Sequence, residues 1–480
     1  MSATSTGIPG EASLSHGLRK ELGLRDLVFT QILCVVGSSW VGVAAKLGQA
    51  HLVFWLAGIV FFYLPLAAVV IHLNKLLPLE GGLYQWAKAA FGPFVGFMTA
   101  WNFWMYALIC VPTILFVIPT DLSYILGRGA EWIPSNRLAT FCLTGLVMVA
   151  IAAVAIRGLK VAKWLHTGGS AMIVTAYLIL LGLPLALKVA GKHVDYTSFP
   201  LQAPRLSWLS VAVFGQMTVG GLSGFEYVAI MAGECRSAAK TIGQSVVLSA
   251  PIIACMFILG TSSVLAFVGS RPINLIGPIP QTFRLAFGET GPGASIAPFA
   301  IVLLLGRAVA AASLIFTGLT RLPMTAGWDH LLPSWFTVLH PRSKAPVNSI
   351  LFVGTVIMLL IISSMLGVHE QEAMQLLQNA SNAHYGIAYV LLFALPLFAT
   401  AHFRRMLPRW LQAVALAGFL SSIVAVLIAI YPIVDVESRL SYACKIGAVV
   451  AGSNLLAVLI YRRVRTKANL VKVAAGNISA

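Results

Sequence analysis

Two charged side chains stand where charge is least expected. Glu226 lies inside a long run of apolar and small residues, and Arg307 lies in the middle of another. A carboxyl removed from water is costly to keep ionised, so such a group is either functional or held by hydrogen bonds. Glu226 is therefore a candidate proton carrier or gate, and the plainer alternative is a structural carboxyl that steadies a distorted helix. Arg307 falls about 16 Å into its run by helical rise. A structural ion pair with Glu226 is expected for it, and capture of an acidic group on a solute is the alternative.

Small residues cluster in two further places. One run reads Val-Val-Gly37-Ser38-Ser39-Trp40-Val-Gly42, and another reads Gly215-Gln-Met-Thr-Val-Gly220-Gly221-Leu222-Ser223-Gly224-Phe225-Glu226. Glycine weakens a helix interior by roughly 1 kcal/mol relative to alanine. An unwound stretch at Gly37, Ser38 and Ser39 would expose N–H groups at the positive end of a half-helix, which suits a carboxylate. Carbonyls freed around Val219, Gly220 and Leu222, with the Ser223 hydroxyl, would suit an ammonium.

These groups need elements to position them, and the composition says which. Of 480 residues, 59% are hydrophobic and only 10% are charged. A soluble core stops growing near about 250–300 residues, so the excess apolar surface must face lipid. Runs of about 20 apolar residues, the length a bilayer requires, are placed at 27–48, 52–74, 92–118, 138–156, 168–190, 208–232, 244–269, 296–320, 347–366, 376–400, 410–432 and 441–461. The expected fold is an all-α integral membrane protein of twelve transmembrane helices.

The net charge of +17 does not indicate nucleic acid, because the basic residues sit in short loops between apolar runs. With both termini cytoplasmic, inside segments hold 21 of the Lys and Arg residues and outside segments hold ten, with Arg307 mid-span. That asymmetry follows the positive-inside rule and suggests a multi-pass protein of the plasma (inner) membrane. The six cysteines include no CxxC pair and the ten histidines no ligand cluster, so no metal or cofactor is expected.

The two glycine clusters occupy spans five apart. An odd repeat length inverts the second copy, so spans one and six would be matching broken helices of two inverted five-helix repeats. Close helix packing is the bland explanation of one such cluster, and matching positions favour the break. The resulting division is a cytosolic tail (1–26), a first repeat (27–190), a second, inverted repeat (208–400), two further helices (410–461) and a C-terminal tail (462–480).

Three motifs carry a resemblance. The loop after the second span reads Pro78-Leu-Glu80-Gly81-Gly82-Leu-Tyr84-Gln-Trp86-Ala-Lys88-Ala-Ala-Phe91-Gly92-Pro93. The eighth span ends in Arg321-Leu-Pro-Met-Thr-Ala-Gly-Trp-Asp329-His-Leu-Leu-Pro333, and the sixth contains Gly224-Phe225-Glu226. Together they resemble the amino acid–polyamine–organocation (APC) permeases over about residues 22–400. The resemblance implies the leucine-transporter fold, with a solute held between helices one, three, six, eight and ten. The chain departs from the family pattern at Ser39, where a glycine is usual, at Trp40, and at Gly220, where a bulky aromatic is usual. Ile173 stands where some members carry a lysine.

On this reading the chain is a secondary active transporter of amino acids working by alternating access, proton-coupled or an exchanger, and not an enzyme. The substrate contacts would come from Gly37, Ser38, Ser39, Trp40, Val219, Gly220, Leu222 and Ser223, with Asn102 and Tyr106 on span three. Glu226, Arg307, Ser170 and Ser313 are the coupling or gating candidates, the two serines as possible sodium ligands. The partners are a small solute, the bilayer and a coupling proton or sodium. A polyamine or organic amine carrier would require further acids, of which these spans are nearly free. A nutrient sensor would require a soluble signalling domain.

Overall fold

The computed structural model describes residues 22–78, 81–189, 204–230, 237–269, 271–288, 294–325 and 331–476, with positions 191, 235 and 328 between them. The N-terminal tail up to residue 21, Leu79 and Glu80 of the loop motif, and Asp329 and His330 lie outside the described residues.

The regular structure of the described residues is helical apart from one isolated β-bridge, and ten helices among them are long and apolar enough to cross a bilayer. A bent pair, α1 (Leu24–Val35) and α2 (Ser38–Ala45), whose axes differ by 47°, is long and apolar enough to make an eleventh if the two halves form one span. Then follow α3 (Gly48–Leu76), the short α4 (Leu83–Phe91), α5 (Pro93–Leu126), α6 (Arg137–Arg157) and α7 (Leu159–Val189). The sixth apolar run is interrupted and forms α8 (Trp208–Gly215) and α9 (Tyr227–Ile230). The remainder are α10 (Ala238–Val268), α11 (Pro278–Phe287), α12 (Ile296–Thr325), α13 (Val347–Ser364), α14 (Glu370–Phe398), α15 (Arg409–Ile428) and α16 (Arg439–Gly476).

Burial follows function in a membrane bundle. Within the bundle 78%, 67% and 72% of the apolar window of α5, α12 and α14 is buried, against 11% for α16, which lies on its outside. The α1–α2 pair runs through the middle, packed on α7, α10 and α12. Several boundaries differ from the sequence reading: the fifth span begins at Leu159 rather than 168, the seventh at Ala238 rather than 244, and the last continues to Gly476 rather than ending at 461. Two further differences bear on the buried charges. The third span continues to Leu126 rather than ending at 118, because the chain kinks at Phe116 and resumes as helix. The tenth begins at Glu370 rather than 376. Both extensions bring acidic residues into helices.

The double glycine of the loop motif has a steric reason. Gly81 and Gly82 hold φ of +90° and +41°, which disfavour side chains. A Cβ on Gly82 would also lie 3.0 Å from that of Ala229, so the loop rests directly on α9.

Candidate functional site

Gly37 is the hinge of the first span. It is extended, with φ −109° and ψ 144°, between the end of α1 and the start of α2. No side chain caps α2, so its first N–H groups, beginning at Ser38 and Ser39, keep their donors and positive partial charge. Arg307 of α12 reaches this break. Its Nη2 donates to the Leu33 carbonyl at 3.3 Å and would lie 3.8 Å from a Cβ on Gly37. Its Nε is buried with no hydrogen-bond partner. From α7, the Tyr177 hydroxyl donates to the Gly37 carbonyl at 3.5 Å.

The sixth span opens later than expected. Gln216–Gly221 stays wound as a wider π-type turn, and the helix is lost only from Leu222 to Glu226. The carbonyls of Val219 and Gly220 therefore lie in a wide turn rather than in extended chain, and Ser223 Oγ already donates to Gly220 at 3.4 Å. Gly224 turns the chain at φ +115°, where a Cβ would meet Val35 of α1 at 3.0 Å. The two breaks thus face each other.

Trp40 fills the contact between them. A Cβ on Gly220 would lie 2.2 Å from the indole Cη2, so the missing side chain of one break is replaced by the aromatic of the other. Asn382 of α14 completes that wall, its Nδ2 2.9 Å from the same position and otherwise unpartnered. Cys34, Ser39, Trp40, Tyr106, Cys110 and Gly220 remain only half-buried although they come from the middles of their spans.

Glu226 is fully buried and does not pair with Arg307. Its Oε1 accepts from Tyr385, and from Tyr389 at 2.9 Å, while Oε2 has no partner. The Tyr389 hydroxyl also accepts the Gly224 N–H at 3.0 Å, so these tyrosines brace the broken helix. The expected ion pair fails because Arg307 is drawn to the carbonyl end of α1, and two hydroxyls one turn apart on α14 reach Glu226 instead. Tyr106 stacks on Tyr385 with ring centroids 3.6 Å apart.

The remaining candidates are dispersed. Asn102 and Asn454 of α16 exchange amide hydrogen bonds at 2.8 and 3.2 Å, which places Asn102 in helix packing rather than at the breaks. Ser170 donates to the Phe29 and His166 carbonyls, tying α7 to α1. Ser313 lies 3.4 Å from His166 Nε2. A histidine thus separates the two hydroxyls read as sodium ligands, and both already have protein partners.

Sequence reasoning missed Asp121, Tyr385, Tyr389 and His166. The i, i+4 tyrosine pair on span ten was a usable signal for a shared partner. Asp121 was hidden by ending span three too early. It is fully buried, neither carboxylate oxygen has a hydrogen-bond partner, and Arg307 lies within its electrostatic reach.

Comparison with known proteins adds an independent line. The profile of a family described as amino acid permease matches residues 24–450. The chain is 24% identical over 384 residues to an uncharacterized transporter of Legionella pneumophila, covering 78% of this chain and 80% of that one. It is 24% identical over 290 residues to a probable agmatine/putrescine antiporter of Lactococcus lactis, covering 58% and 59%. It is 23% identical over 344 residues to a low-affinity putrescine importer of Escherichia coli, covering 67% and 69%.

Proposed function

Because the chain belongs to the amino acid permease family, we propose that it carries amino acids across the membrane by alternating access. The observation that supports this reading best is the uncapped start of α2 at Gly37, with the Arg307 guanidinium beside it and the break of the sixth span opposite. A substrate α-carboxylate takes the N–H groups of Ser38 and Ser39 and the charge of Arg307. The ammonium turns toward the carbonyls of the sixth span near Leu222 and Ser223. Trp40 and Tyr106 bound the solute, and Trp40 serves as its cover. In this arrangement the interrupted run from Trp208 to Ile230 is the twelfth crossing, and the two breaks are equivalent positions of inverted repeats. Both termini are cytoplasmic, as the placement of Lys and Arg favours.

Glu226 is the coupling group in this scheme. Its Oε2 is free of protein partners while Oε1 is anchored by two tyrosines, so it can take and release a proton without losing its place. Uptake into proteoliposomes is expected to rise as external pH falls, and Glu226→Gln, permanently neutral, is expected to flatten that profile. An unchanged profile would remove the proton role and leave Glu226 as a brace.

A second reading has specific support. Asp121 is a buried acid that an amine could satisfy, and two of the relatives are named for agmatine or putrescine. The deciding experiment is a panel of labelled amino acids and diamines offered to the purified protein in liposomes. Accumulation or exchange of a neutral amino acid supports the first reading, and transport of diamines alone replaces it with the second.

A further inference from the structure

The outer part of α5 carries a carboxyl that neither break uses. Asp121 is fully buried and both of its oxygens lack a hydrogen-bond partner, as does the buried Thr120 hydroxyl next to it. A carboxylate in that condition is among the most costly groups a protein can bury. Arg307 is the cation that acts on it, from α12, which packs along this part of α5. Yet Arg307 is directed at the Leu33 carbonyl and the α2 break, and it leaves its own Nε unpartnered. Acid and base thus feel each other's charge across the packed α5 and α12 without being joined.

We infer that Asp121 is the side-chain subsite of the same solute, taking an ammonium or guanidinium at its far end, and that the preferred cargo is a cationic α-amino acid. This rests on the proposal that the α-carboxylate sits at α2 and Arg307. Asp121 keeps both oxygens unpartnered and Arg307 keeps its Nε unpartnered. A cationic α-amino acid offers an anion to Arg307 and a cation to Asp121. A neutral amino acid leaves Asp121 unanswered, and a diamine sets a cation against Arg307.

The test is competition in proteoliposomes against one labelled amino acid, using lysine, ornithine, arginine, leucine and putrescine as competitors. Lysine or arginine is expected to compete at concentrations at least tenfold below leucine, and Asp121→Asn to reduce that ratio at least tenfold. Asp121→Glu, which keeps the charge but extends it by one methylene, is expected to shift the preference from lysine toward the shorter ornithine. It supplies the answer if the Asn variant does not fold. Equal competition by lysine and leucine, or a ratio unmoved in the variant that folds, overturns the subsite while leaving amino acid transport intact. Uptake of labelled putrescine with no uptake of any labelled amino acid overturns the underlying reading as well.

Discussion

Gly220→Ala is expected to cut substrate affinity by about tenfold to a hundredfold, the effect of about 1–3 kcal/mol of overpacking. The added methyl would stand 2.2 Å from Trp40 Cη2 and 2.9 Å from Asn382 Nδ2, so the indole must leave the wall between the breaks. Trp40→Phe in the same chain is expected to recover part of the loss, because a smaller ring vacates the contested volume. Neighbours that share one volume are non-additive in this way. Binding of the substrate to the single and double variants measures it. If the two losses simply add, Trp40 does not fill the place of the missing side chain.

Arg307→Met is expected to raise the half-saturation concentration by about a hundredfold, the cost of about 2–5 kcal/mol that follows removal of one partner from a buried charge contact. Arg307→Lys should recover little, since a compact ammonium cannot keep the Leu33 carbonyl and a substrate carboxylate together as a planar guanidinium can. Concentration dependence of uptake by variants of equal expression and melting temperature checks this. An unchanged half-saturation with a lower maximal rate would place Arg307 in the conformational step instead of the binding step.

The membrane helices were legible because lipid forces long apolar runs, and the hinge at Gly37 was legible because a central glycine has a large local cost. The contents of the site were less so. Glu226 and Arg307 looked like partners because each is a lone charge of opposite sign. Which charges meet is decided by helix rotation, and two tyrosines of α14 face Glu226. Asn102 looked like a path-lining amide, but its face of α5 turns to Asn454 of α16. The sixth span carries four glycines from Gly215 to Gly224, yet only Gly224 takes the left-handed turn. Asp121 escaped because hydropathy falls around Thr120–Ser123 while the helix continues, its polar groups turned inward.

The central claim is that a carboxylate is received at the start of α2. The most direct measurement is uptake of one transported amino acid in proteoliposomes, in competition with the same molecule unlabelled, its methyl ester, and the amine left by its decarboxylation. The account predicts that the free acid competes and that ester and amine are at least a hundredfold weaker. Equal competition by the ester or the amine would contradict it.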